Sequence, residues 1–260
     1  MMSQTTRHIV AWLPDESKKL FQLASGHWRM EQFEPYIIQH GINDLEFFVG
    51  TPLAKDWYDP PRSYALLEYQ WVLDNIPLKN KRIVDGGCHH GHYGLILLSQ
   101  KANWVTLVDP HPSNLDIAEV NIALNGFQDW PWILKAAVLW KENGTVHYNG
   151  QSNGALVSTG IPVEAIRLMD IDPKAEVVKL DIEGAEYMVV PDALGSMKIE
   201  SWIIEAHAGN QTETNAQDNL ARQLKDSDYK LDWVNRESMK VEPYELGTIW
   251  PGHSTLFARR

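Results

Sequence analysis

The run Ile83-Val84-Asp85-Gly86-Gly87-Cys88-His89-His90-Gly91-His92-Tyr93-Gly94 constrains this chain more than any other. An apolar stretch ends in an acid, passes through glycines and opens into residues with helical spacing. That is the first strand–turn–helix unit of a ligand-binding α/β sheet. A dinucleotide needs G-x-G-x-x-G there, so that its pyrophosphate reaches the helix N-terminus. The glycines fall at Gly86, Gly87, Gly91 and Gly94 instead, and a carboxylate at the strand end repels pyrophosphate. A ligand with an ammonium group and a cationic sulfur suits the same acid. S-adenosylmethionine (SAM) has both, and Gly87 and Gly91 let the backbone come close to it.

After Lys79-Asn80-Lys81, short β-rich runs alternate with helical ones. The pattern predicts strands at Arg82–Asp85, Trp104–Asp109, Trp132–Val138, Glu176–Asp181, Ser201–Ala206, Lys230–Val234 and Ser254–Ala258. Helices are expected at Tyr93–Gln100, Pro112–Asn125, Tyr187–Leu194 and Asn215–Lys225. This alternation predicts an α/β fold: a doubly wound, mostly parallel, seven-stranded Rossmann-like sheet. The long link from Val138 to Glu176 carries Gly144–His147, Asn149-Gly150 and Asn153-Gly154, which predict an inserted hairpin. Residues 1–80 read as a mainly helical or irregular extension, a candidate lid or dimer element, and residues 81–260 as the SAM-binding domain. Within the extension, Asp15–Ala24 is amphipathic through Leu20, Phe21 and Leu23. Ser63–Ile76 has helical spacing, with Ser63 as N-cap and Pro77 as stop.

Charge narrows the partners. Asp and Glu number 34 against 23 Lys and Arg, giving a formal charge of -11. Such a surface repels phosphate backbones, so nucleic acid is not an expected partner. No stretch reaches the ~18 apolar residues of a membrane span, and Met1 to Asp15 lacks the apolar run of a signal peptide. The one cysteine, Cys88, rules out an internal disulfide and a Cys-based zinc cage. A cytoplasmic protein is expected, as monomer or homodimer.

The second strand, Thr106-Leu107-Val108-Asp109, ends in an acid 24 positions after Asp85. An acid there accepts hydrogen bonds from ribose hydroxyls. Pro110-His111-Pro112 stiffens the following turn, and Asn114 is placed to help hold the nucleoside. Further on, Val177-Val178-Lys179-Leu180-Asp181-Ile182-Glu183-Gly184-Ala185-Glu186 reads as a buried strand emptying into carboxylates. Ile203-Ile204-Glu205-Ala206-His207 ends another strand. In a parallel sheet these ends share one edge, where ligands bind. Seven polar groups (Asp85, Asp109, Asp181, Glu183, Glu186, Glu205 and His207) converge on that rim, and so many acids call for a cation.

These motifs resemble those of the FkbM methyltransferase family. The likeness lies in Lys-Leu-Asp-Ile-Glu-Gly-Ala-Glu (Lys179–Glu186), in Asp85 to Gly91, and in Asp109-Pro110-His111-Pro112 with Asn121 and Asn125. It continues through Ala136-Ala137-Val138, Glu205-Ala206-His207 and Ser254-Thr255-Leu256-Phe257, covering about Arg82 to Arg260. The resemblance implies a SAM-binding fold with an antiparallel last strand. It also implies O-methylation of a hydroxyl on a sugar or natural-product small molecule. It assigns Asp85, Gly87 and Gly91 to the methionine end of SAM and Asp109 to its ribose. With them, Gly86, His89, Pro110, His111, Asn114 and Asp181 make up the expected cofactor-binding set. The family usually has Ala-Asn-x-Gly where this chain has Cys88-His89-His90-Gly91, and Asp109 replaces a commoner Glu. The third strand offers no acid for adenine.

Removing a proton from an alcohol calls for a base. The catalytic candidates are His207, Asp181 and Glu183, and an unperturbed His207 titrates near neutrality. No metal is required by default, although His89, His90 and His92 with Asp181 and His207 offer ligands. The other readings are a methyltransferase acting on a peptide, lipid or nitrogen nucleophile, and a nucleotide-sugar or NAD oxidoreductase.

Overall fold

The computed structural model describes residues 35–39, 42–151, 154–207, 214–248 and 254–260. The expected amphipathic stretch Asp15–Ala24 lies outside them. Five strands run parallel at the centre: β3 (Arg82–Gly86), β4 (Trp104–Asp109), β5 (Trp132–Ala136), β9 (Val177–Leu180) and β10 (Ser201–Ala206). The last strand, β13 (Ser254–Arg259), runs antiparallel between β10 and β11 (Lys230–Asn235). With β12 (Lys240–Pro243) at the edge, the order is β12-β11-β13-β10-β9-β3-β4-β5. The sheet thus has eight strands where the sequence pattern predicts seven. The extra one, Lys-Val-Glu-Pro, is short and polar, as suits an edge.

The central strands are apolar on both faces, and successive residues feed two separate cores. Val84, Val108, Val178, Leu180, Trp202 and Ile204 pack with Val189, Val190 and Ala193 of α6 (Glu186–Leu194). Leu220, Ala221 and Leu224 of α7 (Thr214–Asp226) complete that face. Ile83, Val105, Leu107, Val177 and Ile203 pack on the other face against Leu95, Leu97 and Leu98 of α3 (His92–Ser99). Each fully buried large side chain stabilises the fold by about 1.5–3 kcal/mol. Helix α4 (Pro112–Leu124) follows β4 and begins with proline at its first position, where the missing N–H costs nothing.

Residues 36–80 carry two helices and, in addition, a short hairpin that the sequence pattern does not predict. Tyr36–Gln39 and Glu46–Val49 form an antiparallel hairpin, β1–β2, followed by α1 (Pro52–Tyr58) and α2 (Ser63–Asn75). The pattern Glu-Phe-Phe-Val is too short for helical periodicity to be read from it. Its Phe47 and Val49 join Ala54, Tyr69 and Val72 in the core beneath Ile83 and Leu95. Ser63 is not the N-cap: Arg62 holds that position, without a side-chain cap, and Ser63 is the first helical residue.

The expected third strand divides in two. Trp132–Ala136 stays in the main sheet, while β6 (Val138–Leu139) pairs with β8 (Ile161–Ile166) in a small three-stranded sheet. The inserted hairpin is present as β7 (Gly144–Tyr148) against β8, with Tyr148 opposite Ile161. A four-residue helix, α5 (Leu168–Ile171), leads back to β9. No helix among the described residues is long and apolar enough to cross a membrane.

Candidate active site

The turn after β3 is shaped by close approach of backbone. Gly87 has φ +69°, and a Cβ there would lie 1.7 Å from the Asp181 carbonyl oxygen. Its N–H donates to the Val108 carbonyl at 2.8 Å. Gly91, at φ +74°, caps α3, and a Cβ would meet the Ala118 Cβ at 2.9 Å. Gly86 is packed in the core, with Leu139 Cδ1 2.5 Å from where its Cβ would be. His89 is also left-handed, at φ 49°. Asn, Asp and His adopt that conformation more readily than most residues, which suits a histidine to this turn. Its N–H donates to Asp109 Oδ2 at 3.0 Å, and its Nδ1 lies 3.1 Å from the Tyr58 hydroxyl. Burial pushes the His89 imidazole down to about 3, so it is neutral.

His90 and His92 are buried away from the rim acids. His92 stacks on Tyr58 with centroids 4.6 Å apart, and His90 stacks on His89 at 3.8 Å. The histidine-rich turn is thus an aromatic packing cluster under α1 and α2. It does not gather with Asp181 and His207, which instead meet Glu183.

The two strand-end acids have different surroundings. Asp85 is fully buried, with the Lys179 ammonium 3.4 Å from Oδ1. Burial raises its pKa, and Lys179 works against that rise. Lys179 also lies 3.7 Å from Asp181 Oδ2 and donates to the Gly87 carbonyl at 3.1 Å. Burial alone would lower Lys179; the charges of Asp85, Asp181 and Glu205 reverse this and hold it charged. Asp109 accepts from the N–H groups of His89 and His111 and from the Asn114 side-chain amide. Burial still pushes its pKa up to about 6. Asn114 is buried and grips this carboxylate; it is a brace for Asp109.

Two cavities open at the C-terminal ends of the strands and share Trp57, Gly87, His89, Asp181 and Glu183. The first, about 670 Å³ of space partly open to solvent, is lined by Val108, Asp109, Pro110, Val138, Leu139 and Tyr148 among others. The second, about 1280 Å³ and also open, extends under α2 to Glu68, Tyr69, Tyr93, Lys179, Glu205 and His207. Asp85 lines neither. It lies behind Lys179, whose ammonium presents the local charge.

At the shared wall, His207 Nε2 lies 3.6 Å from Asp181 Oδ1 and 3.6 Å from Glu183 Oε2. Its Nδ1 is hydrogen-bonded at 3.0 Å to Glu186, a fully buried carboxylate, and its carbonyl accepts from Tyr187. Burial works to lower the His207 pKa. The Glu186 bond and charge, then Asp181 and Glu183, outweigh it and carry the value to about 10. His207 is thus far from the unperturbed histidine that would titrate near neutrality. Glu183 is raised as well, by burial.

Sequence reasoning quoted Lys179 but gave it no role. A lone charge inside Val-Val-Lys-Leu is the signal that was available, because a lysine in a buried strand requires partners. Glu68, Tyr69 and Trp57 carried no such signal; only the fold of α1 and α2 over the rim brings them in. Leu156 and Tyr148 enter the first cavity from the inserted hairpin and supply the apolar wall that no acid in β5 could have announced.

A family model described as the methyltransferase FkbM domain matches residues 85–231, more than half of the chain. No curated protein matches. Among solved structures, a SAM-dependent methyltransferase from Agrobacterium tumefaciens is 10% identical, with a TM-score of 0.51, over 87% of this chain and 70% of its own. TYW2 of M. jannaschii, solved in complex with AdoMet, is 15% identical with a TM-score of 0.49, over 86% of this chain and 85% of its own. At such identity the Agrobacterium likeness supports the fold alone.

Proposed function

Because the chain belongs to the FkbM methyltransferase family, we propose that the first cavity takes SAM and that the second takes a hydroxyl-bearing small molecule, a sugar or natural product, for O-methylation. The observation that carries this reading is the pair of cavities meeting at Gly87, His89, Asp181 and Glu183. Asp109, Asp181 and Glu183 stand among apolar side chains in the first compartment; the second is roomier and adds Glu68, Lys179, Glu205 and His207. The residues of the first fit SAM. Val108, Val138 and Leu139 offer an apolar slot to a nucleoside, and Asp109 is an acceptor for ribose hydroxyls at its mouth. The bare backbone at Gly87 lets the methionine end approach closely.

Bound there, SAM supplies a methyl group already activated by its sulfonium. The protein's part is alignment and proton handling. Trp57 and His89 close the side of the junction, so a hydroxyl entering from the second cavity is directed at the first. Asp181 and Glu183 border both cavities and are the groups in reach of that hydroxyl's proton. His207 stands 3.6 Å from an oxygen of each carboxylate and fixes their position.

Calorimetric titration with S-adenosylhomocysteine tests the cofactor half. One saturable site in the wild type, weakened at least tenfold in Asp109→Ala, supports it. Folded wild-type protein that binds NAD or a nucleotide sugar and ignores the homocysteine compound removes it. Radiolabelled methyl transfer to hydroxylated sugars, peptides, lipids and amines then separates the acceptor classes.

A further inference from the structure

The wall between the two cavities has the makings of a second binding site. Asp181, Glu183 and His207 each offer one donor atom, and these atoms lie within 4.8 Å of one another. We propose that this cluster is a divalent-cation site of the Mg²⁺/Mn²⁺ class, placed to hold an oxygen of the acceptor beside the methyl donor. The ion's role at the acceptor rests on the two-cavity reading above; its binding stands on the cluster itself.

Three features carry the assignment. The first is spacing. His207 Nε2 stands 3.6 Å from a carboxylate oxygen on each side. That is too long for a hydrogen bond. Two ligands about 2.1–2.2 Å from one ion stand roughly 3.0–3.6 Å apart in octahedral or tetrahedral coordination. The second is the support behind the histidine. Glu186 takes His207 Nδ1 at 3.0 Å and is itself held by the Ile182 N–H at 3.0 Å. This fixes which nitrogen faces the two carboxylates, as a carboxylate behind a ligating imidazole does at metal centres. The third is charge left over. Glu186 is fully buried, yet its Oε2 has no hydrogen-bond partner. A buried carboxylate oxygen without a partner beside the imidazole leaves negative potential there for a cation to neutralise.

The ion displaces the proton from His207 Nε2, drawn by the same carboxylates that hold that proton; two carboxylates with one neutral imidazole, and room for further oxygens, suit Mn²⁺ or Mg²⁺ better than a soft ion that seeks thiolates. Asp181 and Glu183 border both cavities and His207 borders the second, so the open coordination positions face the acceptor side. Each carboxylate needs one oxygen for the ion. The other stays available to the hydroxyl proton. The rival occupant is the ammonium of SAM, which would take the same charge.

The test is titration of the full-length protein with MnCl₂, following free Mn²⁺ by electron paramagnetic resonance, with and without saturating S-adenosylhomocysteine. One saturable site is expected in both conditions. It should weaken at least tenfold in Glu183→Gln and in His207→Gln, and stay unchanged in Glu164→Gln, an exposed acid in β8. Melting temperatures and S-adenosylhomocysteine affinity of each variant show that fold and cofactor cavity survive. Absence of saturable Mn²⁺ binding overturns the proposal. So does binding that both variants retain, or binding that S-adenosylhomocysteine abolishes. Because the metal arm needs neither cofactor nor acceptor, Mn²⁺ binding without S-adenosylhomocysteine binding would refute the methyltransferase site and leave the cation site standing.

Discussion

Single atoms decide the shape of the rim. Gly87→Ala must place a Cβ against the Asp181 carbonyl at 1.7 Å and hold an alanine at φ +69°. No side chain can move aside, because the obstacle is backbone. A loss of about 3 kcal/mol or more is expected, with S-adenosylhomocysteine binding abolished; thermal melting and calorimetry measure both. Glu68 is a different kind of singular residue. It is buried, accepts from Thr255 at 2.7 Å, and lies 3.9 Å from Arg236. Burial first, then the charge of Glu205, raises its pKa despite those partners. The folded state therefore holds a proton that the unfolded chain releases above the ordinary glutamate value of about 4.3. Stability from this group is complete below that value and falls as the pH climbs through the raised one. Glu68→Gln keeps an oxygen for Thr255 and removes the titration. Melts at pH 5.5 and 8.5 should differ less in the variant than in the wild type.

Helices and strands are tied to the site by a few polar cross-links. Asn121 of α4 donates to the His90 carbonyl in the glycine turn at 2.8 Å and accepts from the Phe48 N–H of β2 at 2.7 Å. It is fully buried. Asn121→Ala orphans two buried backbone groups, each worth about 1–3 kcal/mol, so a loss of about 2–4 kcal/mol is expected by denaturant unfolding. Its functional mark is weaker cofactor binding, since the turn loses its brace. At this scale most of the sheet was legible: β4 and β10 fall where their apolar runs end, and α3, α4, α6 and α7 lie within a residue of their helical patterns. The hairpin β1–β2 was not, because its strands have four residues each and β2 is buried on both faces, so no alternation marks it. Of the site, Asp109, Gly87 and Asp181 could be read from strand ends. The partner that neutralises Asp85 could not, since its role depends on β3 and β9 being neighbours.

Across the whole molecule, residues 36–80 share a core with the strands. Phe47 is 1% exposed and meets Tyr58 and His92 edge-on at 4.8 Å each. Removing its ring should cost about 3–5 kcal/mol. Since hairpin and sheet are buried together, calorimetric unfolding is expected to show one transition, which Phe47→Ala moves to lower temperature as a unit. A separate early transition would mean that the hairpin unfolds by itself. The inserted strand β13 has a consequence for how the chain reaches this state. It fills the gap between β10 and β11, both made earlier, and its Thr255 reaches back 187 positions to Glu68. Contacts so distant in sequence close slowly. During synthesis, β10 and β11 have no shared neighbour until Ser254–Arg259 leaves the ribosome. Until then a nascent chain presents two open strand edges to chaperones and to other copies of itself.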